Sequence, residues 1–122
     1  MREYKFRAKI KKPYVDKWVY GYLVSECYIS EKNELGYTPV RKETVGQYTG
    51  LHDKNEKEIY EGDIVESFFV DTDEAGNEIY KYYIMEVKYD EILCSYKIDK
   101  FMNLEVIGNV YENKELLNET NR

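Results

Sequence analysis

Alternation of apolar and charged side chains is the feature of this sequence that most restricts its fold. In residues 3–11 every odd position is charged, and the even positions are apolar: Tyr4, Phe6, Ala8 and Ile10. This period of two places the apolar side chains on one face of a β-strand and predicts a solvated face for Lys5, Arg7, Lys9 and Lys11. Pro13 ends the strand, because proline cannot donate to a central ladder.

Further strands are predicted where β-branched and aromatic residues cluster between turns rich in Gly, Asp and Asn. They cover residues 17–24, 44–51, 64–70, 79–89, 92–98 and 104–111. Residues 30–43 are polar and predict a loop, and residues 71–78 predict a hairpin loop with Gly76 and Asn77 at its tip. Asn113 is a candidate cap for a short helix through Leu117.

Many strands and little helix favour an all-β fold. We expect a strongly bent sheet or a small barrel with at most one short C-terminal helix. The length of 122 residues fits a single domain over residues 1–122. The hydrophobic fraction of 43% excludes a disordered chain.

The supply of aromatic rings exceeds what one face of a small sheet would bury. The chain has 14 tyrosines, among them Tyr80, Tyr82 and Tyr83 in the predicted strand 79–89. Tyrosine combines a large apolar surface with one hydroxyl group, which suits core packing and protein interfaces. Stacking of unpaired bases is a third use, but the acidic neighbours of these rings favour a protein as the partner.

Charge is distributed unevenly along the chain. The formal net charge is −6, yet residues 1–17 carry seven basic and two acidic side chains, a net +5. An acidic chain has no general attraction to nucleic acids or anionic membranes, so neither is expected as a partner. The basic segment is interpreted in three ways: as a solvated strand face, as a surface that steers subunits head to tail, or as a phosphate site.

No pattern predicts a catalytic residue, a metal site or a cofactor. Asp71, Asp73 and Gly76 resemble part of a calcium loop, but Ala75 and Tyr82 stand where oxygen ligands are needed. His52 is the only histidine and is expected in an exposed turn. Cys27 and Cys94 form no CxxC motif and are expected as reduced thiols.

The expected compartment is the cytoplasm. Residues 1–7 lack the apolar core of an export signal. The chain also has no apolar run near the roughly 20 residues that a membrane-spanning helix needs.

Two neighbouring stretches form a recognisable motif. They are Gly46-Gln-Tyr-Thr-Gly-Leu-His-Asp-Lys-Asn55 and Glu58-Ile-Tyr-Glu-Gly-Asp-Ile-Val65. This motif resembles the hallmark of the YopX family. The opening Arg2-Glu3 and Lys5-Phe6-Arg7-Ala8, and the closing residues 106–113 with Glu115-Leu116-Leu117, are similar to the start and end of that family.

The resemblance implies a small, mainly β protein that is encoded by phages or prophages and acts inside the bacterial host. It also implies a homo-oligomer, and it transfers no enzymatic activity, cofactor or catalytic residue. One departure is Glu56, where the family more often has glycine. Asn55 is therefore expected to supply any positive φ in this turn.

The motif has two interpretations. Its glycines and turn residues fit a hairpin that organises the fold, with apolar side chains buried between the turns. Alternatively, the motif lines a binding surface or subunit interface. The candidate residues of that surface, together with two tyrosines from strand 79–89, are Tyr48, Thr49, Asp53, Glu61, Gly62, Asp63, Tyr80 and Tyr82.

The leading functional hypothesis is a non-enzymatic module that self-assembles and acts as a binding or scaffold protein in the host cytoplasm. Association with another protein is left open. The first alternative is a nucleic-acid-associated factor in phage replication or regulation, suggested by the basic alternation of residues 5–11. The second is a hydrolase that uses turn carboxylates such as Asp53 and Asp63.

Overall fold

The computed structural model describes residues 5–31, 35–90, 95–96 and 103–119. Antiparallel β-structure dominates these residues, which confirms the all-β prediction. They divide into two compact units, Met1–Gly50 and Leu51–Arg122, and each has its own apolar core. The single-domain organisation expected from the length stays a prediction.

The first unit is built from antiparallel strands. They are β1 (Phe6–Lys9), β2 (Trp18–Ser25), β3 (Tyr28–Glu31), β4 (Thr38–Pro39) and β5 (Gly46–His52), whose last two residues belong to the second unit. Their order in the sheet is β4-β3-β2-β1-β5. The core beneath it consists of Ala8, Val19, Ile29 and Val40, with Phe6, Leu23 and Val45 packed against them.

Residues 30–43 contain more regular structure than the predicted loop. Strand β3 extends to Glu31, and Thr38–Pro39 pairs with Tyr28 and Ile29. A one-turn 3₁₀ helix follows at Lys42–Thr44. The loop prediction is therefore wrong for these segments, whereas residues 35–37 form neither strand nor helix and residues 32–34 lie outside the described residues. Pro39 is tolerated in a short strand at the edge of a sheet, where one side of the backbone needs no ladder partner.

The charged face of β1 is not solvated, in contrast to the prediction. Arg7 and Lys9 expose only 6% and 8% of their surfaces, although Ala8 between them is also buried. Trp18 on β2 lies directly opposite Lys9 in the register. Its ring centroid is 4.5 Å from Arg7 Cζ and 5.7 Å from Lys9 Nζ. The aromatic ring thus covers the aliphatic stems and interacts with both cations.

The second unit contains the remaining strands. They are β6 (Glu58–Tyr60), β7 (Asp63–Thr72), β8 (Glu78–Glu86), β9 (Tyr89–Asp90), β10 (Ser95–Tyr96) and β11 (Leu104–Asn109). Strand β7 lies between β11 and β8, and β9 pairs with β10. The core consists of Ile59, Val65, Val87, Tyr96 and Leu104, with Leu51, Met85 and Val106 packed against them. Most of the predicted strand 92–98, including Cys94, lies outside the described residues.

A 3₁₀ helix at Lys114–Glu119 follows β11, as the prediction of a short C-terminal helix requires. The Asn113 carbonyl accepts the Leu116 N–H at 2.9 Å, the first bond of this helix. The Asn113 side chain turns the other way and accepts the Asn109 N–H at 3.2 Å.

Trp18→Leu is expected to lower the free energy of unfolding by about 1–2 kcal/mol, because Arg7 and Lys9 lose their cation–π contacts with the ring and part of its apolar cover. Urea denaturation followed by circular dichroism measures this loss. Tyr22→Leu is the control, since Tyr22 lies on the same strand and is exposed. Equal stability of the two variants would contradict the role of Trp18.

Candidate functional site in the motif turns and an aromatic arm

The first turn of the motif is closed by Asp53. Its backbone N–H donates to the Lys57 carbonyl at 2.8 Å, and its carbonyl accepts the Glu56 N–H at 3.0 Å. Its carboxylate Oδ1 also accepts the N–H groups of Asn55 at 2.8 Å and Lys57 at 2.9 Å. One aspartate therefore satisfies most of the polar backbone of this turn.

The same carboxylate joins the turn to a strand that lies far away in the sequence. Asp53 Oδ2 accepts the Val106 N–H of β11 at 3.0 Å. The neighbouring Lys54 N–H donates to the Leu104 carbonyl at 2.8 Å, and Lys54 Nζ lies 3.2 Å from Glu105 Oε1. Asp53 is thus a structural link between the motif and β11.

The ionised form of Asp53 is favoured in spite of its burial. Desolvation acts to raise the pKa of this carboxyl, but the N–H groups of Val106, Lys57 and Asn55 and the charge of Lys57 outweigh that effect. The pKa of Asp53 is therefore held below its ordinary value. At neutral pH the carboxylate is a charged acceptor that is occupied by backbone donors.

The second turn of the motif centres on Gly62 and Asp63. Asp63 is almost fully buried, and its Oδ2 accepts the Tyr60 N–H at 2.8 Å. Its carbonyl accepts the Val87 N–H at 2.8 Å, and the Gly62 N–H returns a bond to the Val87 carbonyl at 3.1 Å. The Gly62 carbonyl accepts the Val110 N–H at 2.9 Å. This turn therefore connects with the chain just after β8 and just after β11.

Glycine is required at position 62 for two reasons. Its φ is +91°, a value that side-chain-bearing residues rarely adopt. A Cβ atom there would also lie 3.0 Å from the Tyr111 ring. Local geometry therefore accounts for the glycine of the motif.

A second copy of the Asp53 turn occurs at residues 73–77. The Asp73 N–H donates to the Asn77 carbonyl, the Gly76 N–H donates to Asp73, and Asp73 Oδ1 accepts the N–H groups of Ala75 and Asn77. Gly76 has a φ of +86°, and Glu56 at the equivalent position has a φ of +65°. The expectation that Asn55 supplies the positive φ is therefore wrong: Glu56 takes the conformation of the family's glycine.

Exchange of the residues at these equivalent positions gives opposite effects on stability. Glu56→Gly should raise the free energy of unfolding by up to about 1 kcal/mol, and Gly76→Glu should lower it by about 1 kcal/mol, because only glycine adopts a positive φ without steric cost. Thermal and urea denaturation measure both changes. A loss of stability in Glu56→Gly would show that the Glu56 side chain outweighs its backbone strain.

Asp53→Asn is expected to keep the turn but lose the bond to Val106, at a cost of about 1–3 kcal/mol at pH 7. The asparagine oxygen still accepts the N–H groups of Asn55 and Lys57. Its NH₂ group, however, takes the place of Oδ2 and faces the Val106 N–H, so that two donors meet. Asp73→Asn is the matched control, because the second oxygen of Asp73 accepts the Asn77 side-chain amide at 3.3 Å and, among the described residues, no N–H of a distant strand. Urea denaturation measures the two variants side by side.

The Asp53 contribution also depends on pH in a defined direction. Since the folded-state pKa lies below the ordinary 3.8, the contribution is complete above that pH and is lost as the pH falls through the folded-state value. The difference in unfolding free energy between the native protein and Asp53→Asn should therefore shrink below about pH 4. A difference that stays constant down to pH 3 would contradict this assignment.

The remaining candidates from the motif lie in different environments. Tyr48 and Thr49 are buried in the first unit, where the Tyr48 N–H donates to the Lys5 carbonyl at 2.7 Å. Lys5 Nζ lies 5.2 Å from the Tyr48 ring centroid. Glu61 is half-buried in the second unit. Their assignment to a binding or interface surface stays a prediction.

Tyr80 and Tyr82 lie on a two-stranded arm, which we define as residues 68–83. Within the described residues, β11 pairs with β7 only between Asp63 and Ser67, whereas β8 continues to pair with β7 as far as Thr72. The inner half of this hairpin buries Val65 and Ser67. The outer half therefore extends beyond the three-stranded part of the sheet.

One face of the arm is an aromatic ladder, formed by Phe68, Val70, Tyr80 and Tyr82. Phe68 is paired with Tyr82 in the register, and their ring centroids lie 5.1 Å apart. The Phe68 ring also stacks on Tyr80 at 5.7 Å with an interplanar angle of 10°. Tyr80 and Tyr82 nevertheless remain 57% and 56% exposed. Sequence reasoning did not identify Phe68 as a site residue, because its pairing with Tyr82 depends on the register of the hairpin, which the turn residues did not define.

The carboxylates of Asp71 and Asp73 are engaged within the arm itself. The Oδ1 atom of Asp73 is occupied by backbone N–H groups, and Asp71 forms an ion pair with Lys81 at 3.2 Å. Across the described parts of the chain, no three His, Cys, Asp or Glu side chains are grouped to hold a metal ion. His52 is exposed at the end of β5.

These features define an all-β protein whose two motif turns are closed by buried aspartates. The sequence profile of the family described as YopX protein matches residues 5–118. The chain therefore belongs to the YopX family. None of the curated proteins matches it at a significant level. In the described ranges no helix is both long and apolar enough to cross a membrane.

Proposed function

We propose that this YopX-family protein is a non-enzymatic module that self-assembles through its aromatic arm and serves as a binding or scaffold protein. The proposal includes an origin in a phage or prophage and a location in the host cytoplasm, as the family resemblance implies. The observation that carries it is the aromatic ladder, in which Val70, Tyr80 and Tyr82 are exposed and Phe68 is half-buried.

The ladder has the composition of an interface. Two-stranded hairpins are marginally stable alone, so exposed rings on such an arm gain from burial against a partner. Tyrosine is enriched at interface centres because it brings large contact area with little loss of conformational freedom. The opposite face of the arm adds Ile79 and Tyr83, which are also exposed.

The motif carboxylates support a structural role in preference to hydrolysis. Asp53 accepts three backbone N–H groups, and Asp63 is buried with a bond to Tyr60. A general base must be within reach of a proton on the substrate, whereas both Asp53 oxygens and Asp63 Oδ2 accept backbone N–H groups.

The nucleic-acid alternative has less support from the basic strand. Arg7 and Lys9 are covered by Trp18, and Lys9 Nζ donates to Asp16 at 2.6 Å. Filter binding at about 50 mM salt tests this alternative, since phosphate contacts are strongest at low ionic strength. Retention of DNA or RNA, reduced by Lys11→Glu, would favour it over the proposal.

Tyr80→Ser/Tyr82→Ser is expected to shift self-association to a concentration at least about tenfold higher, because the exposed rings of the ladder are removed. Light scattering over a concentration series measures the shift. Tyr22→Ser is the control, because Tyr22 is at least as exposed as Tyr80 and Tyr82 but lies in the first unit. A native protein that stays monomeric up to about 100 µM would contradict the proposal.

A further inference from the structure

The charge of the aromatic arm indicates what kind of surface it can bind on a second copy of the chain. The arm itself carries Asp71, Asp73, Glu74, Glu78 and one base, Lys81, so its net charge is −3. Two arms placed ladder to ladder would bring these acidic groups toward each other. Such a symmetric contact is disfavoured by like-charge repulsion. The complementary surface should therefore be basic and should offer an aromatic or apolar contact.

The loop between β1 and β2 has these properties. In residues 10–17 the exposed side chains include Lys11, Lys12 and Lys17, and the acidic Asp16 is engaged by Lys9. The loop is held in place by bonds from the Ile10 N–H to the Lys17 carbonyl at 3.0 Å and from the Lys11 N–H to Pro39 at 2.9 Å.

Tyr14 gives a second, independent indication at the tip of this loop. Its side chain is fully exposed, and its φ is +64°, a conformation that is unfavourable for a bulky residue. Strained residues that persist in a structure often belong to functional sites. Tyr14 thus presents an exposed aromatic ring in the same loop as Lys11, Lys12 and Lys17, with no burial to offset the strain.

We infer that the aromatic arm of one copy binds the β1–β2 loop of a second copy, with Tyr14 packing on the ladder and Lys11 and Lys12 facing Glu74 and Glu78. This inference rests on the proposed function and adds the identity of the contacting surfaces. A contact between two different surfaces is heterologous, so each copy offers an arm and a loop to different neighbours. Assemblies of this kind form closed rings or open chains.

Charge reversal tests the pairing directly. Lys11→Glu/Lys12→Glu and Glu74→Lys/Glu78→Lys should each raise the concentration of half-maximal assembly by about tenfold or more. A chain that carries all four substitutions should assemble again, and so should an equimolar mixture of the two double variants. Sedimentation velocity measures the assembly state. Lys114→Glu is the control for a change of charge at an exposed lysine of the second unit.

Tyr14→Gly separates assembly from folding. Glycine relaxes the positive φ, so the thermal unfolding midpoint should not fall, while loss of the ring should weaken assembly. Retained assembly in Tyr14→Gly would remove Tyr14 from the contact and overturn this part of the inference.

The outcomes distinguish this inference from the proposed function. If the native protein assembles and needs Tyr80 and Tyr82, but neither charge-reversed pair weakens it, the arm has another partner surface and the inference fails alone. If the native protein is monomeric, both fail. Restored assembly in the chain with all four substitutions supports both the inference and the proposed function. A contact between two arms would not involve Lys11 or Lys12, so these substitutions could not restore it.

Discussion

The bond between the Asp53 carboxylate and the Val106 N–H is the interaction on which the second unit most depends. It connects a local turn to a strand 53 residues later in the sequence. The two oxygens of Asp53 have separate tasks, since one closes the turn and the other holds β11. Strand β11 in turn pairs with β7, the strand from which the arm extends. A buried carboxylate is costly unless it accepts hydrogen bonds, and here three backbone donors compensate for the loss of water.

This arrangement gives the family motif a physical meaning. Asp53, Gly62 and Asp63 are each explained by turn geometry and backbone hydrogen bonds within the second unit. The comparison of the two equivalent turns supports this view, because the turn at residues 73–77 has the same local bonds but, within the described part of the chain, no link to a distant strand. The motif thus stabilises the fold, and the binding surfaces that we propose are the arm and the β1–β2 loop.

The sequence predicted the β-class, most strands and a hairpin after β7, because alternation and turn residues are local signals. The predicted hairpin loop at residues 71–78 is too long, since β7 continues to Thr72 and β8 begins at Glu78. Sequence reasoning failed for the charged face of β1. The alternation of apolar and charged residues predicted that Arg7 and Lys9 face solvent. Trp18 covers them because of the register between β1 and β2, which alternation within one strand does not encode. The left-handed conformation of Glu56 was missed for a related reason, since bonds from Asp53 impose it. Tyr80 and Tyr82 were identified as candidates from composition, whereas Phe68 required the pairing of β7 with β8.

The most direct test of the role of Asp53 is an NMR titration of its carboxyl group, with the amide protons of Asn55, Lys57 and Val106 followed in the same samples. The account predicts a pKa for Asp53 below its ordinary 3.8 and a shift of the Val106 amide with the same midpoint. A midpoint at or above the ordinary value, with a Val106 amide that does not respond, would contradict it.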